Sequence, residues 1–381
     1  MGTMTWNQQV VKKNNKALVL QLIIEKEPIS RADIAQVSGL NKTTVSTLVT
    51  ELLEEDLIFE SGPGVSSGGR RPVILHFNKD AGYAIGVDIG VNYVLSVLTD
   101  LKGNILIEKN QTVTRTSYAT IMSVVQGMIQ SLIAEMPKSR YGIVGIGVGV
   151  PGIVNNEGAI LLAPNLGWSN IQFKEDLEKL YNVPVIIENE ANAGAVGEQQ
   201  FGAGQDQDNI LYISAGIGIG VGIIVNKELY KGKNGFSGEM GHMIIDMNGK
   251  RCNCGSRGCW EAYASEQALL EMADSRVESL DELIQLAKNG DKKAKELFET
   301  IGNYLGFGIN NIINTFNPEQ VIIGNRLALA KEWIEAPIRN TVEKHTLSFH
   351  QNNLLLNFSK LEKYSTSLGV SAFVVDNFIK V

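Results

Sequence analysis

The 381-residue sequence predicts a small α+β head of about 80 residues followed by a larger body in which an α/β unit occurs twice, with a cleft between its two lobes. Three observations predict this. Up to Asp80 the chain reads as three short helices and a glycine-rich hairpin. From Ala81 onward, short apolar strands alternate with helical segments in the order βββαβαβα, and that order is met twice. Charge divides at the same place: up to Asn78 there are 8 basic and 8 acidic residues, whereas the remainder holds 26 basic and 33 acidic ones. A neutral head on an acidic body can meet a polyanion while the body is repelled by it.

Composition narrows the class. Apolar residues at 44% and charged residues at 20% are those of a chain with a folded core, which excludes disorder. The 39 glycines fall mainly in loops between apolar runs and form no periodic tract, which excludes a collagen-like chain. The uncharged, apolar-rich stretch Asn209 to Asn226 is broken by four glycines and falls short of the ~20 apolar residues of a spanning helix. The N-terminal MGTMTWNQQVVKKNN lacks the apolar core of a secretory signal, so a cytoplasmic location is expected. Three clustered cysteines are too few for a disulfide framework and point to metal or redox chemistry.

In the head (1–80), Leu18, Leu22 and Ile23 recur at helical spacing in a first helix that Pro28 ends. Ser30 is a candidate N-cap with Asp33 three residues on, and the short helix carrying Ile34 and Ala35 stops at Ser38-Gly39. A third helix is predicted from about Asn41 to Glu54, with Val45, Leu48, Val49 and Leu52 on one face and Lys42, Thr43, Thr44, Ser46 and Thr47 on the other. This is the helix-turn-helix layout, whose second helix presents short polar and basic side chains to base edges in the major groove. Leu57-Ile58-Phe59 and Val73-Ile74-Leu75 read as strands joined by SGPGVSSGGRR, a wing whose Arg70 and Arg71 can reach a narrow minor groove. Operator DNA is the expected partner, palindromic and held by a homodimer, because two-fold symmetric proteins impose that symmetry on their sites.

The first lobe (81–200) contains strands AIGVDIG, YVLSVLTD and ILIEKNQTV, a helix from Tyr118 to Met136, strand GIVGIGVGV, a helix from Phe173 to Tyr181, strand VPVIIEN and a helix from Glu190. The second lobe (201–381) repeats the order with NILYISAG, GVGIIV and ELY, several helices, QVIIG, a helix from Leu327 to His345, LLLNFS and a last helix. Ligands in such sheets lie outside the carboxyl ends of the strands.

The segment GHMIIDMNGKRCNCGSRGCWE carries the sharpest chemical signal. His242, Cys252, Cys254 and Cys259 offer one imidazole and three thiolates, a closed tetrahedral shell of the kind that structural Zn²⁺ sites use, with no open position to activate water.

GEMGH followed, after nine intervening residues, by CNCGSRGCWE, together with VDIG and VGVPGIV, resembles the ROK family of sugar kinases and repressors from about Ala81 to the end. The winged head, with PISRADIA, GLNKTTVSTLV and SSGGRRPV, is similar to the family's repressor branch. The resemblance implies an actin-like duplicated fold, a sugar in the interlobe cleft and a zinc loop that shapes the pocket. It implies sugar-binding roles for Asn189 and Glu190, for Glu239 and His242, for Glu261 after the last cysteine, and for Asn165 in APNLGW. A sugar is a ring of hydroxyls that wants paired acceptors and donors, and carboxylates accept strongly. Within the branch the resemblance points to D-xylose as inducer, with glucose, an N-acetylated hexosamine or a sugar phosphate as alternatives and an active sugar kinase as the rival activity.

The departures from the kinase pattern imply that the protein is not an enzyme. Glu190 stands where the kinases carry an aspartate general base, and a base misplaced by about 1 Å costs roughly 100-fold in rate. Val91 and Asn92 replace the Gly-Thr expected after Asp88-Ile89-Gly90, Gly324-Asn325 replaces a pair of glycines, and Ser214-Ala215 opens a loop where the kinases offer threonine.

Overall fold

The structure, a computed structural model, describes residues 8–63, 73–114 and 117–380. The head consists of α1 (Gln8–Lys26), β1 (Ile29–Ser30), α2 (Arg31–Ser38), α3 (Lys42–Glu54), β2 (Ile58–Pro63) and β3 (Val73–Phe77). Ser30 and Asp33 form a reciprocal capping box at the start of α2, and Gly39 ends that helix at φ 71°. Asn41 caps α3 by accepting from the Thr44 N–H at 2.7 Å. Val45, Leu48, Val49 and Leu52 are buried as the periodicity requires. In α1, Leu22 and Ile23 are buried as the spacing predicts, together with Val19 and Leu20, whereas Leu18 is exposed. The two wing strands gain a third, because Ile29 pairs with Leu75.

The first lobe runs β4 (Tyr83–Ile89), β5 (Tyr93–Asp100), β6 (Ile105–Thr112), α4 (Tyr118–Glu135), β7 (Ile143–Val150), β8 (Ile153–Val154), β9 (Ile160–Ala163), β10 (Trp168–Ile171), α5 (Phe173–Tyr181), β11 (Val185–Asn189) and α6 (Glu190–Phe201). The second runs β12 (Ile210–Ala215), β13 (Ile219–Val225), β14 (Glu228–Leu229), α7 (Glu261–Ala264), α8 (Glu266–Met272), α9 (Leu280–Lys288), α10 (Lys292–Phe316), β15 (Gln320–Gly324), α11 (Lys331–His345), α12 (Ser348–Gln351), β16 (Leu355–Phe358) and α13 (Ser365–Lys380). The main sheets have orders β11-β7-β4-β5-β6 and β14-β13-β12-β15-β16, so the second repeats the first strand for strand. The small sheet β10-β9-β8, which the sequence pattern did not reveal, is an insertion in the first lobe beside the cleft.

The lobes exchange their final helices. Helix α6 follows the first sheet in the chain but packs on the second: a Cβ on Gly222 of β13 would lie 2.2 Å from the Ala191 carbonyl oxygen. Helix α13 follows the second sheet but packs on the first, where a Cβ on Gly86 of β4 would lie 2.0 Å from the Ser367 carbonyl oxygen. Only bare Cα atoms let a helix backbone come so near a strand. The head does not stand apart either, since Val19, Ile23 and Leu52 share one apolar cluster with Ala84 and Val144 of the first lobe and Val374 of α13.

Candidate functional site

A cavity of about 430 Å³ opens between the lobes and is lined by all six residues for which the family resemblance implies sugar contacts: Asn165, Asn189, Glu190, Glu239, His242 and Glu261. Asn165 sits in the 3-10 turn Pro164–Leu166 beyond β9, Asn189 ends β11 and Glu190 begins α6. From the other side, Glu239 precedes and His242 ends the turn Met240–His242, and Glu261 begins α7. Strand ends and helix starts thus converge on one space, as the duplicated α/β topology requires.

Asn189 is partly committed to structure. Its Oδ1 accepts from the backbone N–H groups of Ala191 and Asn192, capping α6, and its Nδ2 donates to the Gly152 carbonyl at 2.9 Å, which leaves one amide hydrogen for a ligand. Glu190 Oε1 accepts from the Ser214 hydroxyl at 3.1 Å. Burial, with the Glu239 charge adding to it, pushes the Glu190 carboxyl up to about 7. His242 lies between two acids, its Nε2 3.7 Å from Glu239 and its Nδ1 3.4 Å from Glu261. The site offers carboxylates as acceptors and an amide and an imidazole as donors, which matches a polyhydroxylated ligand.

His242, Cys252, Cys254 and Cys259 place their ligand atoms within 4.8 Å of one another. Cys254 and Cys259 sulfurs are 3.6 Å apart, and Cys252 Sγ lies 3.7 Å from His242 Nδ1. A tetrahedral ion with ~2.3 Å metal–sulfur bonds sets sulfurs about 3.8 Å apart, so the donor set and its spacing fit a metal ion. Gly258, at φ 75°, brings the loop against the Asp246 carbonyl where no Cβ fits, and the buried Trp260 anchors it by donating to the Tyr304 carbonyl at 2.8 Å.

Beside this cavity lies a second, about 1170 Å³, lined by Asp88, Tyr93, Asn325 and Arg326 among others. Asp88 is 3% exposed; its Oδ2 accepts from the Tyr93 hydroxyl at 2.8 Å, and its Oδ1 meets no partner among the described residues. Burial and the nearby Glu190 push its carboxyl up to about 8. The Tyr93 ring lies over Gly90, 2.2 Å from where a Cβ would stand. Tyr93 is a site-shaping residue that sequence reasoning missed; its place three residues after Gly90 was the available signal. Asn325 takes a glycine-like φ of 63° and donates through Nδ2 to Ser214 Oγ at 2.9 Å, which donates in turn to Glu190. Three of the departures read from the sequence, Glu190, Ser214 and Asn325, therefore form one hydrogen-bonded chain.

On the head, Lys42, Thr43, Ser46 and Thr47 are exposed on α3 and Thr44 is half-buried. Arg70 and Arg71 lie outside the described residues.

A model of the ROK family matches residues 84–377, and one of winged helix-turn-helix DNA-binding domains matches residues 15–58. The chain is 45% identical over 375 residues to the xylose repressor of Bacillus subtilis (strain 168), with 98% of each chain covered. Its structure is similar to that of a ROK family transcriptional regulator described as a homolog of E. coli MLC, at TM-score 0.82 and 29% identity over 97% of both chains. The body alone is similar to a ROK family glucokinase from Streptomyces griseus in complex with glucose and AMPPNP, at TM-score 0.70 and 28% identity, covering 77% of this chain and 99% of that one. A DNA-binding head on such a body defines a sugar-responsive transcriptional repressor. The chain belongs to the ROK family.

Proposed function

We propose that this repressor holds a palindromic operator as a homodimer in the cytoplasm and is released by D-xylose. The observation that carries the reading is the convergence of Asn165, Asn189, Glu190, Glu239, His242 and Glu261 on one cavity between the lobes. The likeness to the Bacillus subtilis xylose repressor supports the choice of sugar. Lys42, Thr43, Thr44, Ser46 and Thr47 of α3 read base edges and phosphates, and Arg70 and Arg71 of the wing reach the minor groove. A sugar releases DNA only if it binds the DNA-incompetent arrangement more tightly than the competent one, and closure of the lobes around it is the source of that difference.

The ion held by His242, Cys252, Cys254 and Cys259 is Zn²⁺, with a structural role. Its four ligands leave no position for water, so it supplies rigidity: His242 binds through Nδ1 and keeps Nε2 toward the cavity and Glu239. Phosphoryl transfer is not part of the function. Ser214 and Asn325 tie down the carboxylate of Glu190, which stands at the position of the kinases' base, and Tyr93 donates to the buried Asp88.

A sugar panel of D-xylose, glucose, N-acetylglucosamine and glucose 6-phosphate, read by calorimetry and by release from operator DNA, tests the reading. Xylose should bind and release; Glu239→Ala should hold operator normally and ignore xylose. Release of that variant by xylose, or steady ATP-dependent phosphorylation of any sugar by the wild type, would sink it.

A further inference from the structure

We propose that α13, the last helix of the chain, is the element that carries the state of the sugar cavity to the DNA-binding helix α3; the proposal rests on the inducer reading above. At its first turn, the Thr366 hydroxyl donates to the backbone carbonyl of Glu190 at 3.3 Å, the residue with which α6 enters the cavity wall. Along its middle, α13 lies on β4 and β7 over Gly86, Gly147 and Gly149, where its backbone and side chains take the space that Cβ atoms would fill. At its far end, Val374 and Val375 are 2% and 8% exposed within the cluster that also holds Val19, Ile23 and Leu52 of the head.

The last link is aromatic. Phe378 of α13 meets the Tyr141 ring edge-on, with centroids 5.0 Å apart and planes at 71°. The Tyr141 hydroxyl donates to the carbonyl of Glu55 at 3.0 Å, and Arg140 beside it donates to the carbonyl of Glu54 at 2.5 Å. Glu54 and Glu55 are the last residue and the C-cap of α3. From Thr366 to Phe378 the helix spans about 18 Å at ~1.5 Å per residue, so one rigid rod joins the cavity wall to the foot of the recognition helix.

Its setting allows it to move. Helix α13 belongs by chain to the second lobe and by packing to the first, so closure must displace it against α6, against the first sheet, or both. The bare Cα atoms of Gly86 on β4 and of Gly145, Gly147 and Gly149 on β7 leave few side-chain ridges for α13 to climb, which favours shear of about 1–2 Å, the size of shift that packed helices make in switching proteins. Such a shift at Phe378 is passed to Glu55 through Tyr141 and tilts α3 relative to its partner's copy in the dimer.

The test uses full-length protein and compares operator Kd with and without saturating D-xylose, alongside xylose Kd by calorimetry. The wild-type ratio should fall in the roughly 5–150-fold range of ordinary couplings. Phe378→Ala should bind xylose within about twofold of wild type but lose most of that ratio, and Thr366→Val at the other end should lose part of it, as an interrupted coupling requires. Tyr141→Phe keeps the ring and removes only the bond to Glu55; it should lower the ratio while leaving thermal stability nearly unchanged, so it decides the matter if Phe378→Ala fails to fold. A wild-type ratio in all folded variants overturns the relay and leaves the inducer reading standing. A wild-type protein whose operator affinity ignores xylose overturns the inducer reading, and the relay falls with it.

Discussion

Gly197 of α6 and Gly369 of α13 face each other where the two exchanged helices cross. A Cβ on Gly369 would stand 1.8 Å from the Ala193 carbonyl oxygen, and one on Gly197 would stand 2.1 Å from the Ser365 carbonyl oxygen. The crossing is backbone on backbone, about two turns along α6 from Glu190 in the cavity wall.

Gly369→Ala must therefore push the helices apart. The expected loss is about 1–3 kcal/mol from overpacking, set against the ~1 kcal/mol that alanine gains over glycine in a helix interior. Gly127 of α4 is the internal control, since nothing lies within 4 Å of where its Cβ would stand and Gly127→Ala should stabilise the protein by about 0.5–1 kcal/mol. Urea denaturation of both variants checks the contrast; equal effects would show that the crossing can absorb a methyl group.

Operator binding should reside in the head. Replacing Arg70 and Arg71 by alanine should abolish tight operator binding and leave xylose binding intact. The wild type should lose about 0.9 log unit of affinity per phosphate contact for each tenfold rise in salt, and the double variant should show a shallower slope. Unchanged operator affinity in the double variant would remove the wing from the interface.

Cys254→Ser leaves three ligands. Metal analysis should find one zinc per wild-type chain and less in the variant. Because zinc in small structural sites is worth ~10–16 kcal/mol, the 243–259 loop should lose order and xylose affinity should fall with it. Wild-type protein purified without chelator and free of zinc would refute the assignment.

Xylose affinity should depend on pH through Glu190. Burial raises this carboxyl from an ordinary 4.5 to about 7, so the free protein holds it largely protonated at pH 6 and largely ionised at pH 8. The carboxylate is the stronger acceptor for a sugar hydroxyl, and affinity should rise roughly tenfold across that window if ionisation is required. The same shift has the opposite sign for stability: its cost is absent below pH 4.5, grows as the unfolded chain ionises first, and is complete above about pH 7. Calorimetry at both pH values, with Glu190→Gln as the flat control, measures the effect; an equal rise in the glutamine variant would assign it elsewhere.

Much of this molecule was legible in the sequence because the relevant signals are local. The Ser30–Asp33 capping box, the buried face of α3, the strands of both main sheets and the clustering of Cys252, Cys254 and Cys259 each depend on residues a few positions apart, where backbone periodicity and reach decide the outcome. The six cavity residues were found by resemblance, and their convergence follows from a topology that delivers strand ends to one cleft. Other features were decided by packing across the whole chain. That Leu18 turns outward, that Ser214 and Asn325 join Glu190, and that α6 and α13 trade sheets depend on partners far apart in the chain, Gly86 and Ser367 among them, whereas Tyr93 meets Gly90 and Asp88 close in sequence in a contact that no periodicity marks. Periodicity tells a residue which side of its own element is apolar; only the assembled lobes determine what lies opposite, because close packing admits one neighbour into each space and excludes the rest.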